Sequence, residues 1–313
     1  MSKTADEIIA SNLAKLVNVS QEIGECREHL QKIADDNKCA VMAFIAPYAP
    51  VRVSPVEIQS ATIGLSEEFA IVTAIETIKA ANVDSLYILV NSPGGGVSSS
   101  YKIARMMRAS FSNIKAFVPH IAASGGTLMT LAANEVVMGP MSNLTPVDIQ
   151  VNYNGQFVSS YSMSRALSRL SEFFAKVTAD EAPYPWRAMA EKLDPILMED
   201  WACNLTEMTR YAFELMQMSG YKMQEIKSVI DALIFPQEPH SYVIRRDKAA
   251  QIGIKTSNTS HDIAVMKVMK AWLTGHMLTE SQKHLIRYVM PQNIKGRSGA
   301  RNGRASKKRS TKR

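Results

Sequence analysis

The spacing of apolar residues divides the chain into one long amphipathic helix followed by alternating strands and helices. Between residues 5 and 36 an apolar residue recurs at every seventh position, at Ile9, Leu16, Ile23 and Leu30. This spacing places the four side chains on one helical face. We predict an N-terminal amphipathic helix within residues 1–37, packed either on its own domain or in an intermolecular coiled coil.

The next part of the chain alternates short apolar runs with helical spacing. Four runs read as buried strands: "CAVMAFIA" from residue 39, "SLYILV" from 85, "IKAFVP" from 114 and "EVVMG" from 135. Helical patterns fill 66–80 and the segment that begins "SSYKIARMM" at 99. Strands that alternate with helices at this spacing predict an α/β fold with a largely parallel sheet.

After residue 158 the pattern becomes predominantly helical, apart from a strand, a helical turn and a return within 241–254. We therefore predict an α/β domain at 38–258, a C-terminal helical segment at 259–291 and a disordered tail at 292–313.

That tail accounts for the basicity of the chain. It holds nine Lys or Arg residues and no acidic residue. Because the formal net charge of the whole chain is +7, the rest of the chain has a net charge of −2. Such a segment attracts polyanions without sequence preference, and the attraction falls steeply with salt. The sequence leaves two interpretations open, a solubilising extension and a non-specific nucleic-acid contact through 292–313.

Several classes of protein are not favoured. The longest nearly apolar run, at 39–51, is too short to span a bilayer, and the N-terminus lacks a signal-peptide pattern, so we expect a cytoplasmic protein without a membrane span. The three cysteines are scattered without ligand spacing, at Cys26, Cys39 and Cys203. We therefore expect no disulfide, no metal and no cofactor.

Two glycine-rich turns carry the candidate chemistry. "NSPGGG" at 91–96 and "AASGG" at 122–126 each follow a strand and precede a helix. Free N–H groups at such helix starts bind phosphate or a developing oxyanion. Because neither turn has P-loop or dinucleotide-binding spacing, nucleotide binding is not favoured. Ser124 in the second turn either caps the following helix or acts as a nucleophile.

The two turns and their separation resemble a known superfamily. "LVNSPGGGV" and "AASGG", with 29 positions between Gly95 and Ser124, are similar to the Clp protease proteolytic subunit and signal peptide peptidase A of the Clp/crotonase superfamily. With "MSNLTPVDIQ" and "HSYVIRRDKAAQIGI", the stretch 40–258 most resembles the SDH (serine dehydrogenase proteinase) family.

This resemblance implies a fold, an activity and a partner. It implies a Clp/crotonase-like α/β fold and a serine endopeptidase that acts on peptides or unfolded protein, with Ser124 as nucleophile. The backbone N–H groups of Gly95 and Gly125 would form the oxyanion hole. The resemblance also implies a homo-oligomer.

The general base is open at this stage. Where the Clp subunit has its catalytic histidine, the aligned segment here has Ile149. One substitute is His240 oriented by Asp148, since catalytic triads are defined by geometry and not by chain order. The other is Lys176, as in signal peptide peptidase A, which would need burial to lower its pKa. His120 is a further, weaker candidate.

Two other functions use the same features. A crotonase-like acyl-CoA enzyme would direct the two backbone donors at a thioester enolate. A catalytically altered Clp-like scaffold would instead bind nucleic acid through the basic tail.

Overall fold

The computed structural model describes most of the α/β domain and part of each flank. The described residues are 27–46, 51–52, 58–59, 62–153, 155–178, 180–192, 194–236, 239–259 and 284–292 of the 313.

The described helices and strands follow the order expected from the hydrophobic pattern. The helices are α1 (27–37), α2 (Leu65–Ala80), α3 (Val97–Ser110), α4 (Gly125–Thr130), α5 (Ser160–Phe174), α6 (Tyr184–Ala190), α7 (Pro195–Met218), α8 (Met223–Leu233) and α9 (Arg246–Ile252). The strands are β1 (Ala40–Ile45), β2 (Val51–Arg52), β3 (Ile58–Gln59), β4 (Ser85–Asn91), β5 (Asn113–Val118), β6 (Ile121–Ala122), β7 (Glu135–Met138), β8 (Asn143–Leu144), β9 (Gln150–Tyr153), β10 (Gln156–Ser159), β11 (Thr256–Ser257) and β12 (Leu285–Val289).

The central sheet confirms the predicted parallel α/β architecture. Its strand order is β11-β7-β5-β4-β1-β12, and its neighbouring pairs are parallel except for β12, which runs antiparallel to β1. Each central strand is apolar on both sides because both faces of the sheet are covered. This explains why the strand sequences read as continuous apolar runs.

The two faces of the sheet bury separate clusters. Met42 and Ile88 face the layer of helices α2, α3, α7 and α8. Val41 and Leu89 face α1, whose Leu30 is buried against them. The described part of the N-terminal helix therefore packs on its own domain, while the apolar positions before residue 27 lie outside the described residues.

The helix predicted at the C-terminal side of the domain is a strand at its described end. The segment 259–291 was expected to be helical, but its described end forms β12, which pairs with β1 and buries Val289. The run "LIRYV" is rich in β-branched and aromatic residues, which suit a sheet edge. Residues 260–283, and the basic tail from 293 onward, lie outside the described residues.

The described flanks contact each other across the predicted boundaries at residues 38 and 258. The Gln31 side chain in α1 donates to the Met290 carbonyl at 2.7 Å, and the Gln292 N–H donates to Asp35 at 2.6 Å. Helix α1 and strand β12 are thus joined to each other and to the sheet. The division of the chain into domains stays a prediction.

Short strand pairs that the sequence did not predict bring three distant segments together. Ala122 in β6 pairs with Leu144 in β8, and Leu144 forms an antiparallel bridge with Ile244. The segments 121–124, 142–148 and 240–244 therefore lie side by side at one edge of the domain.

Candidate active site

The two glycine turns lie against each other at the carboxyl edge of the sheet. Because β4 and β5 are parallel neighbours, the turns that follow them emerge at the same edge. Ser92 donates its N–H to Ile121 at 2.9 Å and accepts the Ala123 N–H at 2.9 Å. These bonds fix the second turn beside the first.

The approach of the turns is too close for side chains larger than hydrogen. Gly94 has φ +94°, and a Cβ there would lie 2.7 Å from the Ala123 oxygen and 3.0 Å from the Ser124 Cβ. A Cβ on Gly125 would lie 2.3 Å from the Ser100 hydroxyl oxygen. Gly94 is therefore a steric requirement of the contact between the turns, while Gly125 leaves room for the Ser100 side chain of α3.

Two backbone donors of these turns are available. Among the hydrogen bonds of the described residues, the N–H groups of Gly95 and Gly125 donate none. Gly125 is the first residue of α4, where N–H groups lack intrahelical partners and the helix dipole favours negative charge. The site thus offers two N–H groups beside Ser124.

Ser124 has a strained backbone. Its φ of 48° and ψ of −113° lie in a region that residues other than glycine rarely adopt, at a typical cost of about 1–3 kcal/mol. Its side chain accepts no hydrogen bond from the first turn of α4. The helix-capping interpretation of this serine is therefore not supported.

Two threonines hold the strained residue in place. The Ser124 N–H donates to the Thr145 hydroxyl oxygen at 2.8 Å. Thr127 donates its hydroxyl to the Ala122 and Thr145 carbonyl oxygens at 2.7 and 2.9 Å. The backbone on both sides of Ser124 is thereby tied to the segment that leads to Asp148.

Asp148 and His240 lie next to each other. His240 Nδ1 is 3.9 Å from Asp148 Oδ2, and the side chain of Asp148 is 3% exposed while that of His240 is 30% exposed. The pairing of Leu144 with Ile244 brings the two segments together. The structure thus brings two of the residues predicted for the site into contact although they are far apart in sequence.

Burial shifts the protonation of this pair toward its neutral forms. It raises the pKa of Asp148, against the lowering effects of the Ser159 hydroxyl, His240 and the Tyr161 backbone. It lowers the pKa of His240, with Asp148 opposing the shift. A histidine with a lowered pKa is neutral at pH 7, as a general base must be.

The other two candidate bases are exposed. Lys176 lies just after α5, and its N–H bonds to the Phe173 carbonyl at 3.1 Å. In the described structure Lys176 therefore lacks the burial that a lysine base requires. His120 is also exposed, at the end of β5.

A family model described as ClpP-like SDH-type serine proteinase matches residues 8–169, just over half of the chain. The chain belongs to this family. The match includes both glycine turns, Ser124 and Asp148 and ends before Lys176 and His240. The predicted membership of the SDH family and the Clp-like α/β fold are confirmed.

Two curated relatives of this SDH-type proteinase come from Methanocaldococcus jannaschii. The uncharacterized protein MJ0137 is 25% identical over 181 residues, which are 58% of this chain and 56% of that protein. The uncharacterized protein MJ1495 is 25% identical over 170 residues, which are 54% of this chain and 51% of that protein. The chain thus spans about half the length of the curated relatives that it matches.

Solved structures of proteases align with the SDH-type chain at low identity. Two mutants of the 1510-N membrane-bound stomatin-specific protease each align with a TM-score of 0.41. The mutant in complex with a substrate peptide is 15% identical, covering 64% of this chain and 74% of that chain, and the other is 14% identical, covering 73% and 87%. The ClpP protease catalytic domain from Plasmodium falciparum aligns with a TM-score of 0.36 at 13% identity, covering 64% and 82%.

Sequence reasoning missed several residues of this SDH-type site. Thr145 and Thr127 contact Ser124 and its neighbours only because β6 pairs with β8, a pairing of two residues that carries no hydrophobic pattern. Behind the site, His284 lies within the segment predicted to be helical, but it is buried beside Ser92 and immediately precedes strand β12. No local signal precedes His284, since its contact depends on the placement of β12.

Among the described residues, no helix combines the length and apolar character needed to cross a membrane. Likewise, no group of three His, Cys, Asp or Glu side chains in these segments is arranged to hold a metal ion.

Proposed function

We propose that this SDH-type proteinase is a serine endopeptidase that hydrolyses peptides or unfolded protein with Ser124 as its nucleophile. The observation that carries the proposal is the strained, non-capping Ser124 beside the available N–H groups of Gly95 and Gly125. Family membership supports the same chemistry.

In the proposed reaction the Ser124 oxygen attacks the carbonyl carbon of the scissile bond, and its proton passes to His240. The carbonyl oxygen becomes negatively charged and accepts hydrogen bonds from the N–H groups of Gly95 and Gly125. Removing one such donor from a protease typically costs about 10²- to 10³-fold in kcat. Collapse of the intermediate breaks the C–N bond, His240 gives its proton to the leaving amine, and water then hydrolyses the acyl-enzyme.

We assign the base to His240 and not to Lys176. The 3.9 Å contact with Asp148 and the lowered pKa support His240, whereas Lys176 is exposed. Asp148 would orient the imidazole and stabilise its protonated form during the reaction. Hydrogen bonds of such a set tighten when substrate binds.

A fluorophosphonate probe tests the nucleophile. We expect covalent labelling of the purified chain that Ser124→Ala abolishes, while Ser219→Ala, a matched change at a buried serine far from the turns, leaves it intact. Labelling that persists in Ser124→Ala would refute the assignment.

The pH profile of the labelling rate tests the base. We expect His240→Ala to slow labelling and remove the acid limb of the profile, and Lys176→Ala to change neither. The reverse result would assign the base to Lys176.

Self-association is part of the proposal. Three apolar side chains of the hairpin β9–β10 and helices α6 and α7 are about three quarters exposed: Phe157 at 73%, Tyr184 at 77% and Ile196 at 75%. Self-association would cover these side chains, because contiguous exposed apolar patches mark protein–protein contact sites. Light scattering should report an oligomer that Phe157→Ser and Tyr184→Ser weaken.

The nucleic-acid contact through 292–313 and the cytoplasmic location stay predictions. Deleting 293–313 should remove any salt-sensitive DNA retention and leave peptide hydrolysis unchanged.

A further inference from the structure

A buried chain of three side chains lies behind the first glycine turn. The Ser92 hydroxyl oxygen is 2.8 Å from His284 Nε2, and His284 Nδ1 is 3.8 Å from Glu67 Oε1. Ser92 is 0%, Glu67 3% and His284 5% exposed. This serine, histidine and carboxylate do not belong to the Ser124 site described above.

The register of the sheet assembles this chain. Asn91 in β4 pairs with Ile45 in β1, which pairs with Leu285 in β12. The residues that flank these partners, Ser92 and His284, consequently meet at the end of β1. The ring of His284 packs on Phe44 with centroids 4.3 Å apart, which limits its rotation.

One end of this chain of side chains contacts the glycine turn directly, and the other end is linked to it through Ile63. At one end, the Gly94 N–H donates to the Ser92 hydroxyl oxygen at 3.0 Å. At the other, Glu67 Oε2 accepts the Gly64 N–H at 2.9 Å. The neighbouring Ile63 donates to the Gly94 carbonyl and accepts the Gly96 N–H, each at 2.9 Å. Gly95 is thereby held from both sides.

The polarity of these contacts is self-consistent. With the Ser92 oxygen accepting the Gly94 N–H, we assign its own proton to His284 Nε2 and the imidazole proton to Nδ1, where it faces Glu67. Burial alone would raise the pKa of Glu67, but His284, Ser66 and the Gly64 N–H together lower it to about 2. The carboxylate is therefore ionised opposite His284 at neutral pH.

Ser92 itself has no access to a substrate, because it is fully buried and its oxygen is occupied by Gly94. We propose that Glu67, His284 and Ser92 are positioning residues that fix the Gly95 N–H for oxyanion binding. The role rests on the proposed peptidase function. It makes strand β12 a contributor to the site.

Steady-state kinetics of peptide hydrolysis test the functional consequence. Ser92→Ala and His284→Ala should lower kcat about 10- to 100-fold with KM nearly unchanged, since only the oxyanion contact is displaced. His284→Gln, which can still accept the Ser92 proton, should recover part of the loss. Ser219→Ala is the matched control, because like Ser92→Ala it deletes a buried hydroxyl. The Ser219 hydroxyl bonds the carbonyls of Leu131 and Leu215, and this variant should keep the wild-type kcat.

The double variant Ser92→Ala/His284→Gln separates a connected chain from two independent effects. In a chain, the double variant should lose no more kcat than the more impaired single variant. The proposal would be overturned if the kcat losses of the two single variants multiplied in the double variant. It would also be overturned by a rise in KM with unchanged kcat, or by equal effects of Ser92→Ala and Ser219→Ala. Where circular dichroism shows that His284→Ala has unfolded, the Ser92→Ala and His284→Gln variants decide.

Hydrogen exchange of the segment 92–97 gives a readout that does not need activity. We expect the Gly94 amide to exchange at least about 10-fold faster in Ser92→Ala and His284→Gln and at the wild-type rate in Ser219→Ala. Unchanged exchange would refute the positioning role even in an active peptidase. Conversely, suppose that the Gly94 amide exchanges faster in these variants but the wild-type chain shows no labelling at Ser124. This result would refute the peptidase function and leave the positioning of the glycine turn by Ser92 and His284 intact.

Discussion

The backbone N–H of Ser124 donates to the hydroxyl oxygen of Thr145 at 2.8 Å, and no second acceptor for this N–H exists among the described residues. The strained turn at Ser124 thus depends on one side chain from the segment that leads to Asp148.

Replacing Thr145 by valine should impair this turn. The change keeps the side-chain shape but leaves the Ser124 N–H without an acceptor, which costs about 1–3 kcal/mol of unfolding free energy. Peptide hydrolysis should fall at least about 10-fold because the nucleophile shifts. Denaturant unfolding and kcat measure the two effects.

Two controls sharpen this test. Thr145→Ser retains the hydroxyl and should restore most of both quantities. Thr130→Val makes the same chemical change in α4, where the hydroxyl bonds only the Thr127 carbonyl. It should lower stability without a comparable loss of kcat, and equal kcat losses in the two valine variants would contradict the role of Thr145.

Gly94→Ala should disrupt the contact between the two turns. The new Cβ would lie 2.7 Å from the Ala123 oxygen, and this neighbour is backbone that cannot rotate away. We expect a stability loss well above the roughly 1–2 kcal/mol of positive-φ strain alone, together with loss of labelling at Ser124. Gly220→Ala, at φ +77° with open space around it, isolates the strain and should leave labelling intact.

Asp148→Asn should move the pH dependence of hydrolysis. The negative charge of Asp148 raises the pKa of His240 against burial, so its removal lowers that pKa further. The acid limb of kcat/KM, where His240 becomes protonated and inactive as a base, should shift to lower pH. The plateau should fall on the order of 10²-fold because the protonated imidazole loses its partner.

The control for this change is Asp247→Asn, which removes an exposed carboxylate from α9. It should leave both the limb and the plateau in place. An acid limb in Asp148→Asn at the wild-type pH would mean that His240 is not the titrating base.

Ser124→Gly should stabilise the fold while abolishing activity. Glycine adopts φ 48° without the cost that serine incurs, so the unfolding free energy should rise by about 1 kcal/mol despite the added chain entropy. Ser124→Ala keeps the strain and should show no such gain. A lower melting temperature for Ser124→Gly than for Ser124→Ala would argue against strain at this residue.

Local pattern was sufficient to predict the central strands β1, β4, β5 and β7 and the helices α2 and α3. Runs such as "SLYILV" are apolar because both faces of the strand are buried, and this information is contained in the run itself. The two glycine turns were also visible, since close backbone contact requires Gly94 and the Ser100 side chain leaves no room for a Cβ at Gly125.

Partners that meet only through tertiary pairing were less predictable. The contact of Asp148 with His240 was predicted from a resemblance, and its geometry depends on the bridge between Leu144 and Ile244. The contact of Ser92 with His284 had no sequence signal, because its partners are 192 positions apart and one of them precedes an edge strand.

That separation sets an order of events during protein synthesis. Ser92 and the Ser124 turn leave the ribosome long before His284, so the contact between Ser92 and His284 can form only after 192 further residues have been added. At about 5–20 residues per second this interval lasts roughly 10–40 seconds. A nascent chain would carry Ser124 for most of that time without the strand that braces the glycine turn, so under the proposed roles of Ser124 and His284 full hydrolytic competence is delayed until translation has passed β12.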